Sequence, residues 1–310
     1  MNTGNIKVAV TSRSFSRNNI LRKELLNKYK NVKFNDDGLK LYGDVLVDFL
    51  QGCHKAITAL EIIDNDLLKK LPELKVISKY GVGVDMIDMQ AMRKNNVRLG
   101  WTGGVNRRSV SELVISFAIA LLRYIPAAHR EVLSGTWRQH IGGYLSGRTV
   151  GIIGCGSIGK DLVKLLQPFG CEILVNDIVN YNEFYDKYNI CSVSKNDLLI
   201  KSDVVTLHTP LDISTKNMLT AERLALMKTD AILINTARGG LLDELALKTM
   251  LQHGKLRGAA LDVFRIEPPE DEELINLPNF LVTPHIGGSA DEAILAMGMA
   301  AIDGLDMANS

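Results

Sequence analysis

Short apolar runs alternate with helix-like stretches along most of the chain. In the first hundred residues, lysine-rich helical segments at residues 19–29 and 64–70 fall between such runs. The alternation restarts at Thr149 and continues to about residue 283. Strands that alternate with helices are typical of a parallel sheet covered by helices on both faces. The predicted strands are residues 6–11, 55–60, 75–79, 97–102, 149–153, 172–177, 203–208, 231–236, 258–263 and 280–283.

Two apolar helices stand outside this alternation. The first has apolar residues at helical spacing, and its pattern places its start at a capping box formed by Ser109 and Glu112. Its apolar stripe consists of Val110, Leu113, Val114, Phe117 and Leu121. The second helix is predicted over residues 291–307. It is too short to form a domain, so we expect it to pack against the first alternating region.

The pattern as a whole predicts an α/β protein with two doubly wound parallel-sheet domains. At 310 residues the chain exceeds the usual size of one domain. Residues 104–287 contain six predicted strands, enough for a complete Rossmann domain that binds a dinucleotide. Residues 1–103 and 288–310 then form a flavodoxin-like domain into which the Rossmann domain is inserted.

Composition narrows the class of protein. The chain is 46% hydrophobic and 23% charged, with a net charge of +1, and this balance argues against a nucleic-acid binder. No apolar stretch approaches the roughly 18 residues that span a membrane, and residues 1–7 lack the core of a signal peptide. The four cysteines have neither disulfide nor metal-ligand spacing. We therefore expect a cytoplasmic protein without a metal and without nucleic-acid or membrane partners.

A glycine-rich turn predicts a dinucleotide site. The segment Gly154-Cys155-Gly156-Ser157-Ile158-Gly159 lies between a predicted strand and a helix-like stretch, as in a nucleotide-binding βαβ unit. Gly154 allows the tight turn, and Gly156 lets the backbone approach a pyrophosphate. Gly159 allows the helix and the strand to pack closely. The first turn of the helix adds N–H groups and a positive dipole end for the anion.

An acidic residue at the end of the next strand indicates which dinucleotide is bound. Asp177 lies eighteen residues past Gly159. At this position in a dinucleotide-binding unit, a carboxylate accepts hydrogen bonds from the hydroxyl groups of the adenosine ribose. The same carboxylate repels a 2′-phosphate, and the next residues are Ile178 and Val179 rather than arginine. The sequence therefore predicts NAD.

Polar residues follow the later strands of the predicted Rossmann domain, where open α/β sheets bind their ligands. They are His208, Arg238, Asp262, Glu267 and His285. Arginine suits bidentate recognition of a carboxylate, histidine can act as acid and base near neutral pH, and glutamate favours the protonated imidazole. Together with the glycine loop, they predict hydride transfer between a nicotinamide and a 2-hydroxy acid.

Each of the three reactive candidates also has a structural interpretation. Arg238 could be a surface cation at a strand end, although Gly239 and Gly240 beside it indicate close approach to a ligand. Glu267 could be solvated next to two prolines, and His285 could cap a turn. An isolated polar residue is seldom diagnostic, so the prediction depends on the set as a whole.

Four segments resemble, in the correct order, the signatures of the D-isomer-specific 2-hydroxyacid dehydrogenases. They are residues 80–85, 235–240, 260–269 and 283–288, which read YGVGVD, NTARGG, ALDVFRIEPP and TPHIGG. The first resembles the substrate-binding loop of that family. Within the family, the chain looks most like the 3-phosphoglycerate dehydrogenase branch.

The resemblance implies an NAD-dependent D-2-hydroxyacid dehydrogenase, or 2-oxoacid reductase, whose substrate is a small 2-oxo or 2-hydroxy acid. Arg238 would bind the substrate, His285 would be the acid and base, and Glu267 its partner. The implied substrate-binding residues, in the domain of residues 1–103 and 288–310, are Lys79, Tyr80, Gly81, Val82 and Gly83. Backbone amides around Val82 and Gly83 would hold the substrate carboxylate.

The resemblance also implies a cofactor site and a homodimer. Asp262 would contact the nicotinamide carboxamide, Asp177 would bind the ribose, and residues 110–145 would form much of the subunit contact. The implied cofactor-binding residues are Gly154, Gly156, Ser157, Ile158, Gly159, Asp177, His208, Thr209, Pro210, Thr236, Ala237, Asp262 and Gly287.

The chain departs from the phosphoglycerate dehydrogenases at the positions that bind phosphate. That branch usually has an arginine in the strand at residues 55–60 and another just before the substrate loop, whereas this chain has Thr58 and Lys79. Two other functions stay open. One is a non-catalytic, NAD(H)-sensing binding protein like the corepressors built on this scaffold, and the other is formate or phosphite oxidation.

Overall fold

The structure is a computed structural model that describes residues 5–307. The ends of the predicted domain bounds, residues 1–4 and 308–310, lie outside the described residues. The chain divides into two compact units. A discontinuous unit contains the residues up to Asn106 and those from Gly288 onward, and an inserted unit consists of Arg107–Gly287. The first boundary lies three residues after the predicted one, because the helix that opens the inserted unit begins at Arg107.

The discontinuous unit contains a five-stranded parallel sheet. Its strands are β1 (Lys7–Val10), β2 (Asn31–Phe34), β3 (Lys55–Thr58), β4 (Val76–Lys79) and β5 (Arg98–Gly100). The order β2-β1-β3-β4-β5 is the flavodoxin-like order. The apolar runs predicted every strand except β2. That strand lies at the edge of the sheet and has no buried residue, and it includes the polar Asn31 and Lys33.

Helices cover this sheet, and several begin at side-chain caps that the sequence supplies. Asn18, Asp64 and Asp88 each accept hydrogen bonds from backbone N–H groups in the first turn of the helix that follows. The helices are α1 (Arg13–Arg17), α2 (Asn19–Lys28), α3 (Gly43–Leu50), α4 (Asn65–Lys69), α5 (Met89–Lys94) and, after the inserted unit, α14 (Asp291–Met307).

Helix α14 packs on the sheet formed by the first hundred residues, as predicted. A Cβ atom on Gly100 would lie 2.1 Å from the carbonyl oxygen of Gly304, so strand and helix meet where neither has a side chain. The Ser78 hydroxyl donates to the Ala301 carbonyl at 2.6 Å, and Lys55 Nζ donates to the Leu305 carbonyl at 2.7 Å. These contacts join the two ends of the chain in one unit.

The inserted unit contains a seven-stranded parallel sheet in the order β12-β11-β10-β9-β6-β7-β8. Its strands are β6 (Thr149–Ile153), β7 (Glu172–Asn176), β8 (Cys191–Ser192), β9 (Val204–Leu207), β10 (Ile232–Asn235), β11 (Gly258–Leu261) and β12 (Phe280–Val282). Six of these strands have the Rossmann order, and β12 extends that sheet by one strand. The predicted fold class, a Rossmann domain inserted into a flavodoxin-like domain, is confirmed.

Apolar clusters lie on both faces of this sheet. The covering helices are α6 (Arg107–Leu122), α7 (Ile125–Leu133), α8 (Ser157–Leu166), α9 (Asn182–Tyr188), α10 (Lys195–Lys201), α11 (Ala221–Leu224), α12 (Glu244–Gln252) and α13 (Glu272–Ile275). On one face, Phe117 and Leu121 of α6 belong to the same buried cluster as Leu162 and Leu166 of α8. The strand ends are thereby fixed on a rigid support.

The predicted capping box at the start of α6 is wrong. The helix begins at Arg107, so Ser109 and Glu112 lie within it. The Ser109 hydroxyl donates to the Gly287 carbonyl at 2.6 Å, across 178 residues of sequence. The Ser109 side chain therefore forms a tertiary contact instead of the helix cap that the local pattern predicted.

In the described part of the chain, no single helix is long and apolar enough to cross a membrane. Only α6 and α7 together meet that criterion, and they are bent by 62° at their junction. Residues 5–307 also bring together no group of three His, Cys, Asp or Glu side chains that could hold a metal ion.

Candidate active site

The glycine loop joins β6 to α8 at the point where the strand order of the inserted unit reverses. Strand β6 lies between β7 and β9, which is where doubly wound sheets bind nucleotides. Gly154 has a φ of +98°, and a Cβ there would lie 2.6 Å from the His208 carbonyl oxygen. A Cβ on Gly159 would lie 2.3 Å from the Gly154 carbonyl oxygen. Both positions therefore require glycine for the fold itself.

Gly156 differs from these two glycines because an added Cβ would meet no atom within 4 Å. It is the N-cap of the ten-residue helix α8, and no side chain caps that helix. The backbone N–H groups of Ser157 and Ile158 donate to no acceptor among the described residues. Open space beside unsatisfied N–H groups at a helix N-terminus fits a pyrophosphate.

Asp177 is bound to the glycine loop. Its Oδ2 accepts a hydrogen bond from the Cys155 N–H at 2.5 Å, and its Oδ1 accepts one from the Val179 N–H at 2.8 Å. These hydrogen bonds thus join the end of β7 to the turn after β6. Burial, with the charge of Asp177 as a second cause, raises the pKa of Cys155 to about 11, so this thiol stays protonated.

Two buried polar atoms without partners lie after β9 and β10, beside this loop. His208 Nε2 is 3.0 Å from Thr206 Oγ1, whereas its Nδ1 is buried with no hydrogen-bond partner in the described structure. Burial lowers the pKa of His208 to about 3, so the ring is neutral. Thr236 Oγ1 is likewise buried without a partner. Such atoms are rare in native proteins, and a ligand bound at these strand ends would supply the missing hydrogen bonds.

The neighbouring predicted cofactor residues have other contacts. The Thr209 methyl group lies 2.9 Å from the position of a Cβ on Gly154, which places it against the glycine loop. The Pro210 carbonyl accepts from the Thr215 hydroxyl at 2.7 Å, and the Ala237 N–H donates to Asn235 Oδ1 at 3.0 Å. These bonds fix the backbone that follows β9 and β10.

Arg238 follows β10 in a loop that the fold holds tightly. Its backbone carbonyl accepts from the Asn235 side chain at 2.8 Å, and its Nη1 donates to the Ala237 carbonyl at 2.7 Å. A Cβ on Gly239 would lie 1.9 Å from the carbonyl oxygen of Phe264, so this loop lies directly against the one that follows β11. The guanidinium group is thus at the carboxyl end of the sheet, on a rigid loop.

Glu267 and His285 form a hydrogen-bonded pair. Glu267 Oε2 lies 2.9 Å from His285 Nδ1, and Glu267 Oε1 accepts from the Phe264 N–H at 3.1 Å. The histidine side chain is 48% exposed, and its Nε2 has no hydrogen-bond partner among the described residues. One ring nitrogen is therefore fixed by a carboxylate, and the other is left for a ligand. A cavity of about 390 Å³ adjoins the pair.

Asp262 holds the turn that carries His285. His285 has a left-handed φ of +56°, which is uncommon for a residue other than glycine. Its N–H donates to the Asp262 carbonyl at 3.0 Å. The Asp262 carboxylate, in a residue only 1% exposed, accepts from the Thr283 hydroxyl at 2.5 Å and from the Ile286 and Gly287 N–H groups at 2.7 Å each. These bonds stabilise an otherwise unfavourable backbone and set the direction of the imidazole.

The predicted substrate loop follows β4 in the discontinuous unit, which is described here by itself. The backbone N–H groups of Gly81, Val82 and Gly83 donate to no acceptor among the described residues. The Tyr80 hydroxyl accepts from Ser14 Oγ at 3.5 Å, and Trp101 Nε1 donates to the Val82 carbonyl at 2.9 Å. Trp101 was missed in the sequence, where a tryptophan after β5 carries no signal of a contact with this loop.

The inserted unit by itself brings together most of the predicted residues. The inserted unit holds Arg238, Glu267, His285 and Asp262 at the carboxyl ends of adjacent strands, together with the glycine loop and Asp177. Lys79 and the residues at 80–83 belong to the discontinuous unit. Thr283 also supports the site, although sequence reasoning did not select it.

Known proteins are similar to this chain in sequence and in fold. D-3-phosphoglycerate dehydrogenase of Methanocaldococcus jannaschii is 40% identical over 239 residues, which cover 76% of this chain and 46% of that protein. Glyoxylate reductase of Thermococcus litoralis is 34% identical over 280 residues, which cover 87% and 85%. A crystal structure from Polaromonas sp. JS6 66, assigned to the D-isomer specific 2-hydroxyacid dehydrogenases, superposes with a TM-score of 0.89 at 28% identity, covering 97% and 95% of the chains.

The chain spans about half the length of the phosphoglycerate dehydrogenases that it matches. Residues 115–287, more than half of the chain, match the profile of the family described as "D-isomer specific 2-hydroxyacid dehydrogenase, NAD binding domain". The likeness to the family and to its phosphoglycerate dehydrogenase branch, predicted from four motifs, is thus confirmed. The chain belongs to the D-isomer specific 2-hydroxyacid dehydrogenase family.

Proposed function

We propose that the protein is an NAD-dependent D-2-hydroxyacid dehydrogenase, or 2-oxoacid reductase. The observation that carries this proposal is the Glu267–His285 pair at 2.9 Å, which leaves His285 Nε2 without a partner among the described residues. Arg238 lies at the carboxyl end of the same sheet, as does the glycine loop. An acid and base, a carboxylate-binding cation and a dinucleotide site are the groups that this reaction needs.

NAD fits the residues at the end of the inserted sheet. The N–H groups of Ser157 and Ile158 would bind its pyrophosphate, and the Asp177 carboxylate its adenosine ribose. The buried Nδ1 of His208 and the hydroxyl of Thr236 would each gain the hydrogen bond that the protein alone does not give them. When bound, the nicotinamide supplies or accepts the hydride.

The protein's own groups bind the acid and move the proton. The Arg238 guanidinium would bind the substrate and polarise its carbonyl group, and the N–H groups of Gly81, Val82 and Gly83 would bind its carboxylate. During reduction, His285 Nε2 would donate a proton to the carbonyl oxygen, and during oxidation it would accept that proton from the hydroxyl group. Glu267 Oε2, 2.9 Å from Nδ1, would hold the imidazole ring in place during both steps.

A substrate panel tests this function against the alternatives. The purified protein is mixed with NADH and a series of 2-oxoacids, and separately with NAD⁺ and formate or phosphite, while the absorbance of NADH is followed. We expect turnover with at least one 2-oxoacid. Turnover with formate or phosphite alone would indicate the other oxidation. Tight NADH binding without any turnover would indicate a sensing protein.

Glu267→Gln is expected to lower kcat for the reduction of a 2-oxoacid about tenfold. The amide can still accept a hydrogen bond from His285 Nδ1, but it cannot form the charge-assisted bond that the carboxylate forms. Steady-state rates with NADH and a 2-oxoacid measure the loss. Glu270→Gln, in the same loop, is the matched control, and an unchanged kcat in Glu267→Gln would remove Glu267 from this role.

The coenzyme preference tests the role of Asp177. The wild type should use NADH with a kcat/KM at least about tenfold above that for NADPH, because a 2′-phosphate would be placed beside the carboxylate. Asp177→Asn should reduce the ratio of kcat/KM for NADH to that for NADPH, since the amide lacks the negative charge that repels the 2′-phosphate. Equal use of NADPH by the wild type would contradict the assignment.

We also propose a homodimer formed through residues 110–145. From residue 125 onward, this segment has five large apolar side chains that are more than half exposed in the single chain, namely Ile125, Leu133, Trp137, Ile141 and Tyr144. Exposed apolar residues in such a group indicate an interaction surface. Sedimentation should give twice the chain mass of 34.2 kDa, and a monomer at micromolar concentration would contradict the proposal.

A further inference from the structure

We infer that the substrate is a 2-oxoacid whose side chain carries no phosphate group, and that Lys79 positions the substrate loop instead of binding the substrate. The inference rests on the proposed function and concerns the part of the substrate beyond its reacting carbon. It is carried by the side chains at the carboxyl end of the sheet in the discontinuous unit.

The Lys79 side chain is buried and forms a hydrogen bond within the protein. It is only 4% exposed, and its ammonium group donates a hydrogen bond to the carbonyl oxygen of Ala59, the residue after β3. Its Nζ lies 3.6 Å from the position of a Cβ on Gly81. The ammonium group therefore lies beneath the substrate loop and links it to the neighbouring strand. A buried cation with this bond stabilises the loop that presents the N–H groups of residues 81–83.

The remaining residues at these strand ends give a phosphate no cation. The segments that follow β3, β4 and β5, at residues 59–62, 80–85 and 101–106, contain neither lysine nor arginine. Thr58, the last residue of β3, is 1% exposed. Proteins recognise phosphate dianions mainly with arginine, lysine and backbone N–H groups. The carboxylate of Glu61, whose Oε2 accepts from the Ala59 N–H at 2.6 Å, adds a negative charge to the same edge.

Arg13 follows β1 at this edge, but its side chain extends in another direction. Its Cδ lies 3.6 Å from the position of a Cβ on Gly38, in the segment that follows β2. Strand β2 is the edge strand on the far side of β1 from β3 and β4. The stem of the Arg13 side chain thus packs beside the segment that follows β2.

The edge presents uncharged groups instead. Leu60, two residues after β3, is 79% exposed, and Trp101 is 47% exposed after β5, where its indole N–H donates to the Val82 carbonyl. The hydroxyl of Tyr80 is already hydrogen-bonded to Ser14. Apolar and aromatic surfaces beside a loop that binds a carboxylate suit a side chain that is apolar or carries only a hydroxyl group.

A matched pair of substrates tests the inference on the wild-type protein. Hydroxypyruvate and 3-phosphohydroxypyruvate differ only in the phosphate group, and kcat/KM is measured for each with NADH. We expect the unphosphorylated acid to be at least about tenfold better. A phosphorylated acid that is used equally well or better overturns the inference but leaves the proposed function intact. If no 2-oxoacid is reduced in the wider panel, the proposed function fails instead.

Lys79→Met then separates positioning from binding. A positioning role predicts that kcat/KM falls about tenfold for both acids, with their ratio unchanged, because the loop is loosened for every substrate. A phosphate-binding role predicts that only the value for 3-phosphohydroxypyruvate falls, and that result contradicts the assignment. Lys75→Met, at the exposed residue just before the same strand, is the matched control. If Lys79→Met does not fold, the wild-type ratio still decides the substrate class.

Discussion

His285→Ala is expected to reduce kcat for the reduction of a 2-oxoacid by about 10² to 10⁴, which is the usual contribution of general acid–base catalysis. The structure gives the reason. His285 Nδ1 is fixed by Glu267 at 2.9 Å, and its Nε2 has no other hydrogen-bond partner among the described residues. Alanine leaves no group at this position that can donate a proton to the carbonyl oxygen.

The control separates lost chemistry from lost structure. His253→Ala removes another histidine of the same unit, one whose Nδ1 lies 2.8 Å from the Thr249 carbonyl at the end of α12. It should keep nearly full activity. NADH affinity, measured by fluorescence titration, should be similar in wild type and His285→Ala. Near-normal reduction of a 2-oxoacid by His285→Ala would show that the mechanism is wrong.

Gly156→Val is expected to weaken NADH binding about 100-fold, or by about 2.8 kcal/mol, while the protein stays folded. A Cβ at this position meets no atom within 4 Å, and Gly156 has an ordinary φ of −72°. A valine side chain would therefore fill only the space in which the pyrophosphate is proposed to bind. Fluorescence titration measures the affinity, and thermal unfolding measures the stability.

Gly159→Val provides the contrast. Its Cβ would lie 2.3 Å from the Gly154 carbonyl oxygen, so this substitution should lower the unfolding temperature as well as the affinity. Loss of stability in Gly156→Val, or unchanged NADH affinity in that variant, would contradict the proposed position of the cofactor. The two glycines are three residues apart, yet only Gly159 is required by the packing of helix on strand, whereas Gly156 is proposed to serve the ligand.

Patterns of apolar and polar residues along the sequence identified those strands, turns and helices that depend mainly on residues close to them in the chain. The glycine loop was recognisable because strand, turn and helix follow one another without interruption, and Asp177 stands at the end of the next strand. The same reasoning failed for β2 and β8, since these edge strands have no apolar run. It also failed at Ser109, whose hydroxyl contacts Gly287 rather than the backbone of its own helix.

The sequence by itself thus determined the two α/β domains, the insertion of one into the other, the glycine-rich turn between strand and helix, and the family. Only the tertiary structure decided how the reactive groups are held. Asp262 reaches Ile286 and Gly287 across 24 and 25 residues. Lys79 is directed to Ala59 and not to solvent. Such contacts depend on which strand ends become neighbours in the folded sheet. The spacing of residues along the chain does not specify in which direction a side chain points there.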